Sequence, residues 1–376
     1  MKTDGCGRRG WLNRPGAGGA GAWGWVRLAG VLAAAGAGCA APGPADPYPA
    51  TLSGRGGTSS SLDLARECLR RAVVYPDNPV VRAAAVEAMA GAEDQALCPR
   101  IRLALLDEHP GVRFAACAAV GDLKDESAGA AARKLLDDPD ASVRAAALYA
   151  RHRLGHRERS GELVDLLLTH SDSLVRCNAA MLLGRLGEPS AVQPLARAMR
   201  DKDPRVQDFA LEALAALGVE EARSQLHYMA HSGIGSQEAF AVGALGTTRN
   251  PTDAELLREK LGNASHLETR LAAARALGRL GKRDGLDLAV KGLSFNRPRR
   301  EEAEDAPEAQ RVRIRAMAAA ALGDIGDPAA LPALARILER GEDPRLQVAA
   351  AGAILKISRE APPLFSAPPS AQRAKP

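Results

Sequence analysis

The chain has 376 residues, of which 46% are hydrophobic but only 3% aromatic, and its formal net charge is +5. Trp11, Trp23 and Trp25 all lie near the amino terminus, so any core further along must be built from Ala, Leu and Val, which suits close helix packing and argues against a β-sandwich. The excess positive charge sits in the tails: residues 62–360 hold 42 basic and 43 acidic side chains, which excludes the concentrated positive field of a folded nucleic-acid-binding domain.

Residues 1–38 read as an export signal. Lys2, Arg8, Arg9, Arg14 and Arg27 stand against the single acid Asp4, and an apolar stretch from Leu28 to Gly38 follows, too short to span a bilayer. It ends in Ala37-Gly38-Cys39. This ending resembles a bacterial lipoprotein box, although Gly36 stands where such boxes have an aliphatic residue. The resemblance implies that Cys39 is lipidated and becomes the first mature residue, which places the chain in the cell envelope, anchored to a membrane on its periplasmic or outer side. The competing reading is an ordinary cleavage site with a nearby cysteine. Arg8-Arg9-Gly10-Trp11-Leu12 also resembles the twin-arginine export motif. Residues 39–61 are rich in Pro, Gly and Ser, cannot bury a core and read as a tether.

From Val81 to Gln347 one phrase recurs nine times, roughly Val-Arg-x-x-Ala-Ala-x-x-Leu-Gly-x-Leu-Gly. Its anchor falls at Arg82, Arg113, Arg144, Arg176, Gln207, Glu238, Arg270, Arg315 and Gln347, at steps of 31, 31, 32, 31, 31, 32, 45 and 32 residues. A fixed period in this range marks a solenoid. The third unit shows how the period fills. Ala128 to Leu136 predicts a first helix, and Asp137-Asp138-Pro139-Asp140 breaks it, because proline lacks an amide proton and excludes helical geometry from the residue before it. Ser142 offers an N-cap, Val143 to Leu154 predicts a second helix, and Gly155 closes it. Two antiparallel helices with short turns leave no room for a strand. Equivalent closing glycines recur at Gly187, Gly218, Gly281 and Gly326.

Asp-Pro-x-Val-Arg followed by Ala-Leu-Gly-x-Leu-Gly resembles HEAT repeats, in the short class associated with phycobilisome-lyase proteins. The resemblance implies an all-α fold, an α-solenoid of about nine helical hairpins (an armadillo-like superhelix) over residues 62–360, with a Pro-rich tail at 361–376. It also implies that Arg82, Arg113, Arg144, Arg176, Arg270 and Arg315 form a structural ladder with the turn aspartates, Asp138 with Arg144 for instance. Two irregularities stand out. In unit six His231-Ser232-Gly233-Ile234-Gly235-Ser236 replaces the Asp-Pro turn, and residues 291–309 lengthen the step before unit eight, with Arg297 to Asp305 as the insertion. Such an insertion is either a binding loop or a solvated charged loop.

No catalytic motif emerges. His152 and His156, and His227 and His231, share a helical spacing, but neither pair has the intervening Glu of a zinc protease or a third ligand. Deoxyhypusine hydroxylases are HEAT-like enzymes whose di-iron centre uses His-Glu pairs, and this chain has no such dipeptide; Glu108-His109 is reversed. Cys68, Cys98, Cys117 and Cys177 read as small apolar packing. The residues therefore imply no cofactor and no metal. The second helices of HEAT units line the concave face, where Phe114, Tyr149, Arg153, Met181, Arg185, Arg275 and Arg279 fall on one stripe. They are either partner-binding residues or fillers between helices. The expectation is a non-catalytic scaffold or adaptor holding a protein partner, with no nucleic acid bound. The alternative is a lyase- or oxidoreductase-type HEAT enzyme or accessory factor acting on a bound protein.

Overall fold

The computed structural model describes residues 60–157, 159, 161–296 and 307–360. The expected signal at 1–38, Cys39, the expected tail and the Arg297–Asp305 insertion lie outside the described residues, as does the expected tether apart from its last two residues. Among the described residues there are eighteen α-helices and no strand. They pair as nine hairpins. The first helices are α1 (Ser61–Ala72), α3 (Cys98–Ala104), α5 (Gly129–Lys134), α7 (Gly161–Thr169), α9 (Val192–Ala198), α11 (Glu220–Met229), α13 (Ala254–Asn263), α15 (Leu286–Gly292) and α17 (Leu331–Glu339). The second helices are α2 (Pro79–Ala92), α4 (Pro110–Leu123), α6 (Ala141–Arg153), α8 (Ser173–Leu186), α10 (Pro204–Ala216), α12 (Gly235–Thr248), α14 (Leu267–Arg279), α16 (Pro307–Ile325) and α18 (Pro344–Glu360).

In the third unit the first helix is shorter than expected, Gly129–Lys134, because a 3-10 turn flanks it on each side, at Glu126–Ala128 and Leu135–Asp137. The second helix is capped by Asp140 rather than Ser142: the Asp140 carboxylate accepts from the Val143 amide at 3.0 Å. Ser142 is instead buried and accepts from the Asn178 side chain at 2.9 Å. Gly155 closes the unit at φ +91°, a left-handed geometry that glycine adopts without steric cost.

The core follows the composition. Ala145, Ala146, Ala147 and Ala150 are fully buried on α6, as are Ala179 and Ala180 on α8. These small residues bring neighbouring second helices into contact. A Cβ on Gly184 would sit 2.7 Å from the Ala213 Cβ, and one on Gly246 would sit 2.6 Å from the Ala276 Cβ. The first glycine of the repeated phrase is therefore where successive second helices cross most closely, a role distinct from the closing glycine three residues later.

Each second helix packs on the next in chain order, and α18 packs on both α1 and α2. The array closes into a ring. Glu93 at the end of α2 pairs with Arg359 of α18 (Oε2–Nη1 2.8 Å), and Gly91 lies against the Lys356 side chain. The expected solenoid of nine hairpins is what forms, and its last hairpin returns to pack on the first. A solenoid with free ends needs polar capping units; here the two end units cover each other.

Candidate functional site

Two ladders hold the units together. In the first, a second-helix arginine reaches back to its own turn and forward to the next. Arg113 donates to the Asp107 and Glu108 carbonyls at 2.9 Å each, and its Nε and Nη2 grip both oxygens of Asp138, 25 residues on, at 2.9 Å each. Arg82 grips Asp107 and Arg176 grips Asp201 in the same way. Planar guanidinium and carboxylate groups match as two parallel bonds. The expected rung between Asp138 and Arg144 is a correction: the Asp138 carboxylate belongs to Arg113, while Arg144 takes the Asp138 and Pro139 carbonyls at 2.8 and 3.0 Å. His170 stands where the next turn needs an acid. Arg270 donates to the Leu261 carbonyl at 2.9 Å, and Arg315 pairs with Glu342. Neither makes an aspartate rung.

The second ladder, on the opposite ends of the helices, was not anticipated. Arg66 reaches Asp94 at 2.7 Å, Arg102 grips Asp125 at 2.7 and 2.9 Å, Arg223 reaches Asp253 at 2.7 Å and Arg258 reaches Asp284 at 2.7 Å. A readable signal existed, since Asp94 and Asp125 lie one repeat step apart, each twelve residues past its anchor.

The arginines of the stripe singled out on the second helices answer acids on other second helices. Asp324 of α16 accepts from Arg275 Nε at 2.7 Å, Arg279 Nε at 3.0 Å and Lys356 Nζ at 2.8 Å. Burial alone would raise the Asp324 pKa, but these three cations outweigh it and hold the carboxyl far below the usual range. A second cluster joins the Tyr149 hydroxyl to Asp122 at 2.5 Å, with Arg185 Nη2 3.5 Å from the same carboxylate and Arg153 donating to the Gly121 carbonyl at 3.3 Å. Burial opposes the Arg185 charge, yet the fields of Asp122, Tyr149, Glu87 and Glu212 raise its pKa. Glu87 lies on α2, three second helices away from α8 around the ring.

The sequence-predicted partner residues divide accordingly. Phe114 and Tyr149 are 2% and 1% exposed and belong to the core, so the expected apolar patch does not reach the surface. Met181 is half-buried against that core. Arg185, Arg275 and Arg279 are tied into the charge clusters, and Arg153 donates to the Gly121 carbonyl beside one of them. The large apolar side chains that are exposed lie elsewhere: Val74, Leu103 and Leu106 in units one and two, and Tyr228 and Ile234 near the irregular sixth turn.

The histidine pairs also separate. His152 Nε2 meets Glu188 at 2.8 Å and His227 Nε2 meets Asp253 at 2.7 Å, whereas His231 Nδ1 lies 3.0 Å from the His227 carbonyl. No group of three His, Cys, Asp or Glu among the described residues could hold a metal ion. Cys68, Cys98, Cys117 and Cys177 are free thiols. Burial pushes the Cys68 and Cys177 thiols up to about 12, so neither forms a thiolate nucleophile at neutral pH.

Residues 65–150 and 161–233 match the family of HEAT repeats, and residues 314–340 match the PBS lyase HEAT-like repeat. The hairpins in these segments are similar to HEAT repeats. A HEAT repeat-containing taxis protein of Halobacterium salinarum is 32% identical over 185 residues, which are 49% of this chain and 38% of that protein. The chain thus spans well under half the length of this HEAT relative. Human deoxyhypusine hydroxylase in complex with glycerol is 20% identical, with 72% of this chain and 98% of that one covered at a TM-score of 0.38. The complex of CpcE and CpcF of phycocyanin lyase from Nostoc is 18% identical, with 65% and 97% covered at a TM-score of 0.41. Likeness at this level says nothing of chemistry.

Proposed function

We propose that this protein is a non-catalytic scaffold that holds a protein partner on the outside of its ring, and that a lipid on Cys39 tethers it to a membrane of the bacterial envelope. One observation carries the binding reading: bare apolar side chains on an otherwise charged surface. Val74, Leu103 and Leu106 are 59%, 60% and 80% exposed. Arg82 bonds both the Tyr75 carbonyl and the Asp107 carboxylate, and so draws the neighbours Val74 and Leu106 to one rim of the ring. Apolar groups left in water on one rim are what a protein interface covers. The stripe on the second helices offers less, because its arginines already answer acids. Export rests on the basic segment, the short apolar stretch and Ala37-Gly38-Cys39.

The test is affinity capture from detergent-solubilised membranes with the full chain and with the Leu103→Asp, Leu106→Asp double variant. A protein captured by the first and lost from the second, at equal helical content, supports the reading; equal capture by both contradicts it. Cys39→Ala should move the protein from the membrane to the soluble fraction, and an unchanged membrane share would remove the anchor. Stoichiometric metal in the purified chain would favour the enzyme reading instead.

A further inference from the structure

The second ladder is interrupted in unit three. In unit two, Arg102 grips the two oxygens of Asp125 at 2.7 and 2.9 Å. One repeat step of 31 residues later, the same two places hold Arg133 and His156. The arginine is kept and its acid is gone.

At that point lies an open-sided cavity of about 240 Å³, lined by Leu136, Leu148, Arg133, Arg151, His156, Arg159 and Asp137. Three guanidinium groups and an imidazole thus share a lining with one carboxylate. Arg159 is held by Glu162 at 2.5 and 2.8 Å and lies 3.6 Å from Asp137. Arg133 is exposed and pairs with no other described residue. The chain itself shows what an arginine at this place takes, since Arg102 holds a carboxylate through two parallel bonds. A planar guanidinium fork fits a carboxylate or a phosphate equally well, and the leucines of the lining strengthen such bonds by lowering the local dielectric.

We propose that this cavity binds an oxyanion, a carboxylate or phosphate group carried by a small molecule, in the place of the missing ladder acid. Arg133 supplies the fork, Arg151 adds charge and the His156 imidazole offers a further hydrogen-bonding group. The bound anion closes the rung between α5 and the segment after α6 that Asp125 closes one unit earlier. This inference is independent of the scaffold reading, because it concerns the cavity alone.

The experiment is a titration of the purified full chain with inorganic phosphate and, separately, with succinate, against sodium chloride at matched ionic strength, read by calorimetry and by melting temperature. A ligand that binds only the folded state raises the melting temperature with concentration. The expected result is a saturable response to one or both anions beyond that of chloride; phosphate alone assigns a phosphate site and succinate alone a carboxylate site. Arg133→Ala should weaken the affinity about tenfold or more. His156→Asp restores the ladder acid, so it should abolish the response and raise the melting temperature of the ligand-free chain. Arg102→Ala, one unit away, should leave the affinity within about twofold. A response no larger than that of chloride would overturn the proposal, and so would an unchanged affinity in both Arg133→Ala and His156→Asp.

Discussion

Gly352 of the last second helix lies against Ala88 of the first, so close that a Cβ on the glycine would sit 3.1 Å from the Ala88 Cβ. The two residues are at opposite ends of the repeat array, yet they meet as Gly184 and Ala213 meet between successive units. Closure thus reuses the packing of the repeat itself. Its consequence is that the face a free solenoid offers as a groove becomes the inside of a ring, where Glu87 and Arg185 act on each other from non-adjacent helices.

The ladder arginines should be worth far more than the surface ones. Arg176 and Asp201 have side chains 5% and 13% exposed and pair at 2.7 Å. Arg176→Ala leaves a buried carboxylate unpaired and two turn carbonyls without a donor, so it should cost about 3–5 kcal/mol. Arg205, with a side chain 52% exposed, also pairs with an acid at 2.8 Å, Asp203, but Arg205→Ala should cost no more than about 1 kcal/mol. Urea denaturation of the two variants reads the difference directly.

Tyr149 should behave as a core residue. Tyr149→Ala removes one of the largest fully buried side chains and should cost about 3–5 kcal/mol. Tyr149→Phe removes only the hydroxyl that donates to Asp122, at about 1–2 kcal/mol. Melting curves that leave Tyr149→Ala as stable as the parent chain would return this residue to the surface.

Asp208 gives the fold a pH dependence of unusual sign. Burial, helped by the nearby Asp203 charge, raises its carboxyl from 3.8 to about 7. The folded state therefore holds this proton over a range in which the unfolded chain has lost it, and stability from this group falls as pH rises from about 4 to about 7. Asp208→Asn mimics the protonated form. It should match the parent chain near pH 4 and exceed it at about pH 8, measured as the difference in melting temperature across the range.

Much of this was legible in the residues. The anchor column gave nine units, and the Asp-Pro turns and closing glycines placed the helices to within a few residues. Of the stripe read from spacing, Arg275 and Arg279 share the partner Asp324, while Phe114 and Tyr149 lie in the core. Three things were not legible. The rotation of each helix decides whether the fifth position past the anchor points inward or between units, and it buries Tyr149 while Glu87 and Glu212 remain half-buried. The partner of a turn aspartate depends on the tilt between units, which gives Asp138 to Arg113 and not to Arg144. Closure depends on that same tilt summed over nine units, and no local pattern in α2 or α18 records it. The second ladder was readable only in part: Asp94 and Asp125 stand twelve residues past their anchors, whereas Asp253 and Asp284 stand fifteen and fourteen past theirs.

The ring is tested most directly by a cross-link at its seam. Cysteines introduced together as Ala88→Cys and Gly352→Cys would have Cβ atoms about 3.1 Å apart, slightly below the range of about 3.5–4.5 Å a disulfide takes, so a shift of a few tenths of an ångström suffices. Mild oxidation of the monomer, which takes two hydrogens from the thiol pair, should join positions 88 and 352 within one chain, seen as a linked peptide pair by mass spectrometry with the chain still monomeric. A monomer that stays unlinked under conditions that oxidise a surface dithiol control would mean that the two ends stand apart, and the closed ring would be wrong.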